Sequence, residues 1–443
     1  MHRRVLITGI GTLSAAGADH QALWDTLRTG RSTIAPVQAF DASGLQTTLA
    51  AEIPDFNVRN AVPKSYRKAT KVMARDTQLA VAAADLAARD ANLLTAATSE
   101  DHQRTYPPER VATHFGAGLI VAELDELTAA LHEATDSEGK FSIQMWGEKG
   151  IEHLTPLWML KYLPNMLACH VTIIHDLHGP SNTITAGQAS GLLAVGEALR
   201  AIRRNDADIA FAGGAEARIN PLAMLRQQFS SLASHGTDPQ HLPRPLDLAA
   251  SGTVLSEAAA VLILEATDQQ TPRDHPAYAE LLSFGSAQGV LNQIPSTQPA
   301  ADPKAIQLAI QRALDHAKLK PSDIDLIVAG SPGHPTLDQA DADAMLQVFG
   351  DHLPSLPVIT PRATLGECFA ADGPIDLAVA ALALKHQTIP AITKRNNPRN
   401  NITADNPAQT KKLQHALVFG TSTGAQSAAA ILRSIDTNTG AQP

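Results

Sequence analysis

The sequence predicts an α/β protein whose layout is used twice, with central helices packed between two sheets in an α/β/α/β/α stack. Three observations predict it. Apolar runs of strand length alternate with longer apolar runs of helix length along most of the 443 residues. Small-residue and glycine turns punctuate those runs at matching places in the two halves. Hydrophobic residues make up 44% of the chain but aromatic ones only 4%, so the core must be Ala, Leu, Ile and Val.

Residues 5–9 read as the opening strand. Further on, Thr183, Ile184 and Thr185 form a β-rich run that meets Ala186, Gly187, Ala189, Ser190 and Gly191, and an apolar helix follows over 192–203. A strand–tight turn–helix junction of this kind lifts one side chain and aims a helix N-terminus at it. Gln188 holds that raised position. Glutamine donates and accepts hydrogen bonds but cannot attack a thioester carbonyl. A buried strand at 209–212 then ends in Gly213 and Gly214, and 258–265 closes the half. The second half repeats the order. Residues 278–285 open it, and 323–329 lead into an apolar strand. Val358, Ile359 and Thr360 run through a small-residue turn into a helix at 374–385. Strands at 416–419 and 427–433 complete it. This divides the chain into halves at 1–265 and 278–433, a polar junction between them, and a frayed tail at 434–443. An insertion at about 128–160 carries Trp146 and Trp158 and reads either as a cap over the site or as an ordinary packed insertion.

The net charge of −9, with no Lys/Arg block standing out, argues against a nucleic-acid partner. Cys169 and Cys368 are far apart and form no disulfide framework. The N-terminus lacks a signal-peptide pattern, and no run of about 18 apolar residues occurs, so a cytoplasmic protein without a membrane partner is expected. Gly9-Ile10-Gly11 lacks the third glycine of a dinucleotide fingerprint, and neither a cofactor nor a metal is expected. Cys169 and His170 point about 100° apart on a helix and do not pair. Cys368 follows Glu367, whose charge would raise the thiol's pKa. Neither cysteine is read as a nucleophile.

Over nearly its whole length the chain resembles the thiolase-fold ketosynthases, the condensing enzymes of fatty-acid and polyketide synthesis. The likeness rests on Val5-Leu6-Ile7-Thr8-Gly9-Ile10-Gly11, Leu177-His178-Gly179-Pro180-Ser181, Asp208 through Glu216, and Arg244-Pro245-Leu246-Asp247 with Gly252 to Ala260. It implies a thiolase-like duplicated five-layer architecture. Active members carry a Cys, two His and a Lys. The resemblance places Gln188 at the Cys position and, anchored on Asp338 and Asp341, Gly330 at the first His. In Arg362-Ala363-Thr364-Leu365-Gly366-Glu367, Arg362 stands for the Lys and Glu367 for the second His. Every catalytic group has changed, so no catalytic residue is expected.

A glutamine at this position resembles two subfamilies. One is the chain length factor of type II polyketide synthases, which pairs with an active ketosynthase alpha subunit and shapes the tunnel for the growing chain. The other is the Gln-type loading ketosynthase, which decarboxylates malonyl-carrier protein. Decarboxylation leaves an enolate that needs donors, and losing one donor costs about two to three orders of magnitude in rate. Glycine has no side chain and a Glu367 carboxylate would repel the charge, so the chain length factor is favoured. The decarboxylase alternative would use Gln188 and His334, the latter otherwise a structural loop histidine. A non-catalytic scaffold is the third reading. Arg362 and Glu367 are expected to form an ion pair that plugs the old pocket. The implied partners are an active ketosynthase, paired through 182–185 over about 2,000 Å² or more, and an acyl carrier protein docked mainly on that partner. The tunnel face is expected on a helix following Gly118, with Leu119, Ala122 and Glu126 near one side by helical spacing, ordinary interface packing being the plainer reading.

Overall fold

The computed structural model describes residues 3–101, 103–267, 275–290 and 299–435. The first half contributes β1 (Val5–Leu13), β2 (Val111–Ala117), β3 (Ser181–Ile184), β4 (Ile209–Ala217) and β5 (Leu255–Ala266). The second contributes β6 (Ala279–Gln288), β7 (Leu326–Ala329), β8 (Val358–Ile359), β9 (His415–Thr421) and β10 (Gln426–Arg433). Their spatial order is β8-β7-β9-β10-β6-β1-β5-β4-β2-β3. Adding five to each strand number of the first half reproduces the order of the second. In each half the three outer strands run parallel and the inner two are antiparallel to their neighbours.

The expected two sheets are joined edge to edge. β1 pairs with β6 through Leu6 opposite Glu280 and Ile7 opposite Ala279. With short strands at Ala35–Pro36 and Leu49–Ala51 this makes one 12-stranded mixed sheet. The two opening strands each end the inner side of their half, and pairing them satisfies backbone groups that would otherwise be unpaired.

Helices cover both faces. On the outer side lie α1 (Arg75–Asp90) and α3 (Met166–His175) in the first half, with α5 (Pro303–Ala317) and α6 (Pro335–Phe349) in the second. A short α2 (Leu124–Glu133) belongs to the insertion. The centre is held by α4 (Ser190–Arg203) and α7 (Asp372–His386). Alternation along β5 shows the layering: Leu262 and Leu264 face the core shared by α4 and α7, while Val261 and Ile263 face that of α1 and α3. A third core joins α5 and α6 to Ile327, Leu417 and Ile431. Residues 372–384 of α7 are buried throughout, as a helix apolar on every side must be.

Small residues set the central spacing. A Cβ on Gly191 would lie 2.2 Å from the Ala370 carbonyl oxygen, and one on Gly116 would lie 2.2 Å from the Gly191 nitrogen. The junction at 268–274 and the tail beyond 435 lie outside the described residues. Among the described residues no helix is long and apolar enough to cross a membrane.

Candidate functional site

The site begins where β3 turns into α4. Gly187 takes φ +58°, a left-handed conformation suited to glycine. The Ser190 hydroxyl ties the turn, accepting from the Ala186 N–H at 2.7 Å and donating to the Gly187 carbonyl at 2.6 Å. Gln188 is thereby presented at the head of α4, buried, with its Oε1 accepting from the Thr423 N–H at 3.4 Å. The loop supplying Thr423 follows β9 and passes so close that a Cβ on Gly187 would sit 3.1 Å from that of Ser422.

Arg362 is among the largest fully buried side chains. Its partners are both on α7. The guanidinium grips Asp376 with two nitrogens, one at 2.7 Å, and its Nε lies 3.3 Å from Asp372. Asp372 and Asp376 are one helical turn apart and share a face. Burial acts to lower the Arg362 pKa, but the charges of Asp372 and Asp376 outweigh it and hold the guanidinium protonated.

The expected Arg362–Glu367 ion pair is therefore overturned. The guanidinium is claimed by α7, and the backbone of Glu367 is stitched to the start of β5. Its N–H donates to the Val254 carbonyl at 2.8 Å and its carbonyl accepts from the Ser256 N–H at 3.0 Å. Among the described residues no cation lies within ion-pairing distance of the Glu367 carboxyl. Burial pushes its pKa well up, the charge of Asp372 adds to this, and Arg362 and the Gln188 amide act against it. Glu367 is thus favoured as a neutral acid. The repelling carboxylate expected from the sequence is not the form this environment supports.

Gly330 sits beside Arg362. A Cβ there would be 3.8 Å from an Arg362 Nη and 2.9 Å from the Gly420 Cα. Gln188 and Arg362 both lie near enough to Glu367 to act on its carboxyl, and Gly330 adjoins Arg362, so the four positions form one cluster. His334 instead caps α6, its Nδ1 accepting from the Thr336 N–H at 3.3 Å, and burial lowers its pKa. Nearby, Asp338 accepts from the Leu246 and Gly333 N–H groups and Asp341 from Ser331, and burial raises both to about 7.

The segment after Gly118 corrects a second expectation. Residues 118–123 form no helix, which begins only at Leu124, so Leu119 and Ala122 do not share a helical face with Glu126. A Cβ on Gly118 would strike the Glu216 carboxyl, and Ile120 is buried, so packing against the body of the protein pins this stretch. Leu119 is exposed and Ala122 half-buried. Glu126 accepts from Trp158 Nε1 at 3.0 Å, Lys161 at 2.5 Å and the Tyr162 hydroxyl at 2.5 Å, tying α2 to the rest of the insertion.

Sequence reasoning missed Asp372, Asp376 and Glu216. Glu216 accepts from the Ala370 N–H at 3.0 Å and pairs with Arg218. A signal for the aspartates was present: two acids four apart in an otherwise apolar helix need a buried partner. Cys368 is buried, and burial, then Asp372, raises its thiol pKa well up. His170 bonds Tyr66 at 3.0 Å rather than turning to Cys169.

The beta-ketoacyl synthase N-terminal domain matches residues 2–270 and the C-terminal domain residues 278–396. A beta-ketoacyl synthase 2 assigned to the actinorhodin polyketide of Streptomyces coelicolor is 30% identical over 386 residues, 87% of this chain and 86% of that protein. The 3-oxoacyl-(acyl-carrier-protein) synthase 2 of Coxiella burnetii is 29% identical over 403 residues, 89% of each. Among solved structures, the ishigamide ketosynthase/chain length factor superposes with a TM-score of 0.80 at 25% identity, covering 98% of this chain and 100% of that one. A beta-ketoacyl synthase from Burkholderia phymatum has the same fold, with a TM-score of 0.82 at 24% identity over 98% of this chain and 100% of that one.

Proposed function

The chain belongs to the beta-ketoacyl synthase family, and from that premise we propose that it is a ketosynthase-like subunit without condensing activity of its own. It pairs with an active ketosynthase and shapes the tunnel that sets polyketide chain length. The observation that carries this reading is Gln188 at the head of α4, where the family's nucleophile stands. An amide side chain does not take up an acyl group from a thioester as a thiolate does. The Arg362–Asp372–Asp376 cluster supports it, since a guanidinium held by two carboxylates is committed to structure.

Pairing is supported by two surfaces. β3 ends the sheet, with Ser181 and Asn182 exposed and one edge open among the described residues. The insertion and α3 leave Ile143, Leu157, Met159 and Ile173 exposed by 75%, 77%, 67% and 62%. Leu157 also takes φ +61°, a strained conformation for a leucine that throws its side chain into solvent. Such apolar surface fits an obligate partner. The relative named for ishigamide is a ketosynthase/chain length factor.

Co-expression with candidate ketosynthases from neighbouring genes tests the reading. The expected result is a stable one-to-one complex in which mass spectrometry finds acyl groups on the partner only. An acyl group on this chain would overturn it. Ala122→Phe, in the segment after β2, is expected to shorten the product, and unchanged length would remove the tunnel role.

One observation favours a second reading. A neutral Glu367 is a hydrogen-bond donor where the family has its second His, and it could serve a malonyl decarboxylase with Gln188. Carbon dioxide release from malonyl-carrier protein by the isolated chain, abolished in Glu367→Leu, would establish that alternative.

A further inference from the structure

At the far end of α4 the chain forms a cavity separate from that cluster. It measures about 330 Å³ and is lined by Leu199, Arg200, Arg203, Arg204, Phe284 and His316. Its floor is apolar, with Phe284 packed against Gly196 of α4 and the Arg200 guanidinium 5.4 Å from the Phe284 ring centre. Its rim is cationic, and none of those lining residues carries a carboxylate.

The charge balance singles out Arg203. Glu197 is shared by Arg200 at 3.6 Å and Arg204 at 3.2 Å. Asp206 holds Arg204 at 2.8 Å. Glu280, the acid acting on Arg203 from β6, is taken by Arg4 at 2.9 Å and Arg433 at 2.6 Å. Arg203 is left half-buried with no carboxylate in ion-pairing distance among the described residues. One Nη donates to the Leu282 carbonyl at 2.8 Å, and its buried Nε has no acceptor among the described residues. Arginines in a helix's last turn suit its dipole, but that does not account for a desolvated guanidinium left without an anion beside an apolar pocket. His316 Nδ1 donates to the Phe284 carbonyl at 2.8 Å, fixing the imidazole at the same rim.

We propose that this cavity binds a small phosphate monoester carrying a compact apolar or aromatic group. The Arg203 guanidinium, the lining fork that holds no carboxylate among the described residues, suits a phosphate dianion. The volume lies at the lower end of ligand pockets, which limits the ligand to a few heavy atoms beyond the phosphate. The site is about 20 Å from Gln188, the length of α4, and does not depend on the role proposed for that cluster.

Calorimetric titration of the full chain with phenyl phosphate tests it, with inorganic phosphate and phenol as comparison probes. Phenyl phosphate is expected to bind, inorganic phosphate more weakly, and phenol not at all. Arg203→Gln should weaken phenyl phosphate by about tenfold or more at unchanged melting temperature. Arg203→Lys, which keeps the charge but loses the fork, should fall between. Absence of heat with phenyl phosphate, or equal binding by Arg203→Gln, would overturn the site. Equal affinity for inorganic and phenyl phosphate would overturn its apolar half.

Discussion

A buried carboxyl without a cation changes its protonation rather than its position, and this chain holds several. Asp338 and Asp341 are raised to about 7 by burial, and Glu367 is likewise pushed well up by burial and Asp372. Between the ordinary carboxyl range and about 7, the native state keeps protons that the unfolded chain has released. Stability therefore falls as pH rises through that window, by up to about 1.4 kcal/mol per pH unit for each group. The denaturant midpoint should be higher at pH 5 than at pH 8, and Glu367→Gln, which mimics the neutral acid, should reduce the difference. An unchanged pH slope in that variant would mean Glu367 is ionised. At the neighbouring position, Gln188→Cys restores a thiol but not the donors around it. It should gain no measurable acylation by mass spectrometry, because the Arg362 guanidinium stays bound to α7 and one missing donor alone costs about two to three orders of magnitude.

Among the elements, α7 does the most, closing the core and supplying both carboxylates for Arg362. Asp376→Asn leaves that guanidinium buried with half its charge balance. Breaking a buried pair from one side costs about 3–5 kcal/mol, to be read from equilibrium unfolding. Close approach of α4 to α7 depends on Gly191, where a Cβ would strike the Ala370 carbonyl and Pro374. Gly191→Ala is expected to cost about 1–3 kcal/mol through that overlap, and a stable variant would show that the two helices can slide apart. The absence of helix at 118–123 has the same kind of cause. Helical spacing in Leu119, Ala122 and Glu126 is a local pattern, whereas the Glu216 carboxyl under Gly118 and the buried Ile120 are long-range constraints that win over it.

For the molecule as a whole, the open edge of β3 and the apolar insertion lie on parts of the chain that no described element covers. Leu157→Glu combined with Met159→Glu should release this chain from the proposed ketosynthase partner on size-exclusion chromatography. Its own melting temperature should hardly move, since both side chains are mostly exposed and surface changes stay within about 0.5 kcal/mol. Retention of the complex would place the interface elsewhere.

The strand–turn–helix layout, the repeat and the glutamine at the head of α4 were legible in the sequence, because each is carried by residues near one another along the chain. Apolar runs, glycine turns and a single substituted position need no knowledge of what folds against them. Which acid meets Arg362, whether Glu367 carries charge, and why Arg203 lacks an anionic partner were not legible. The first depends on which way side chains close in sequence point once the turn is folded, the others on burial and contacts between distant segments, and only the packed tertiary structure decides them.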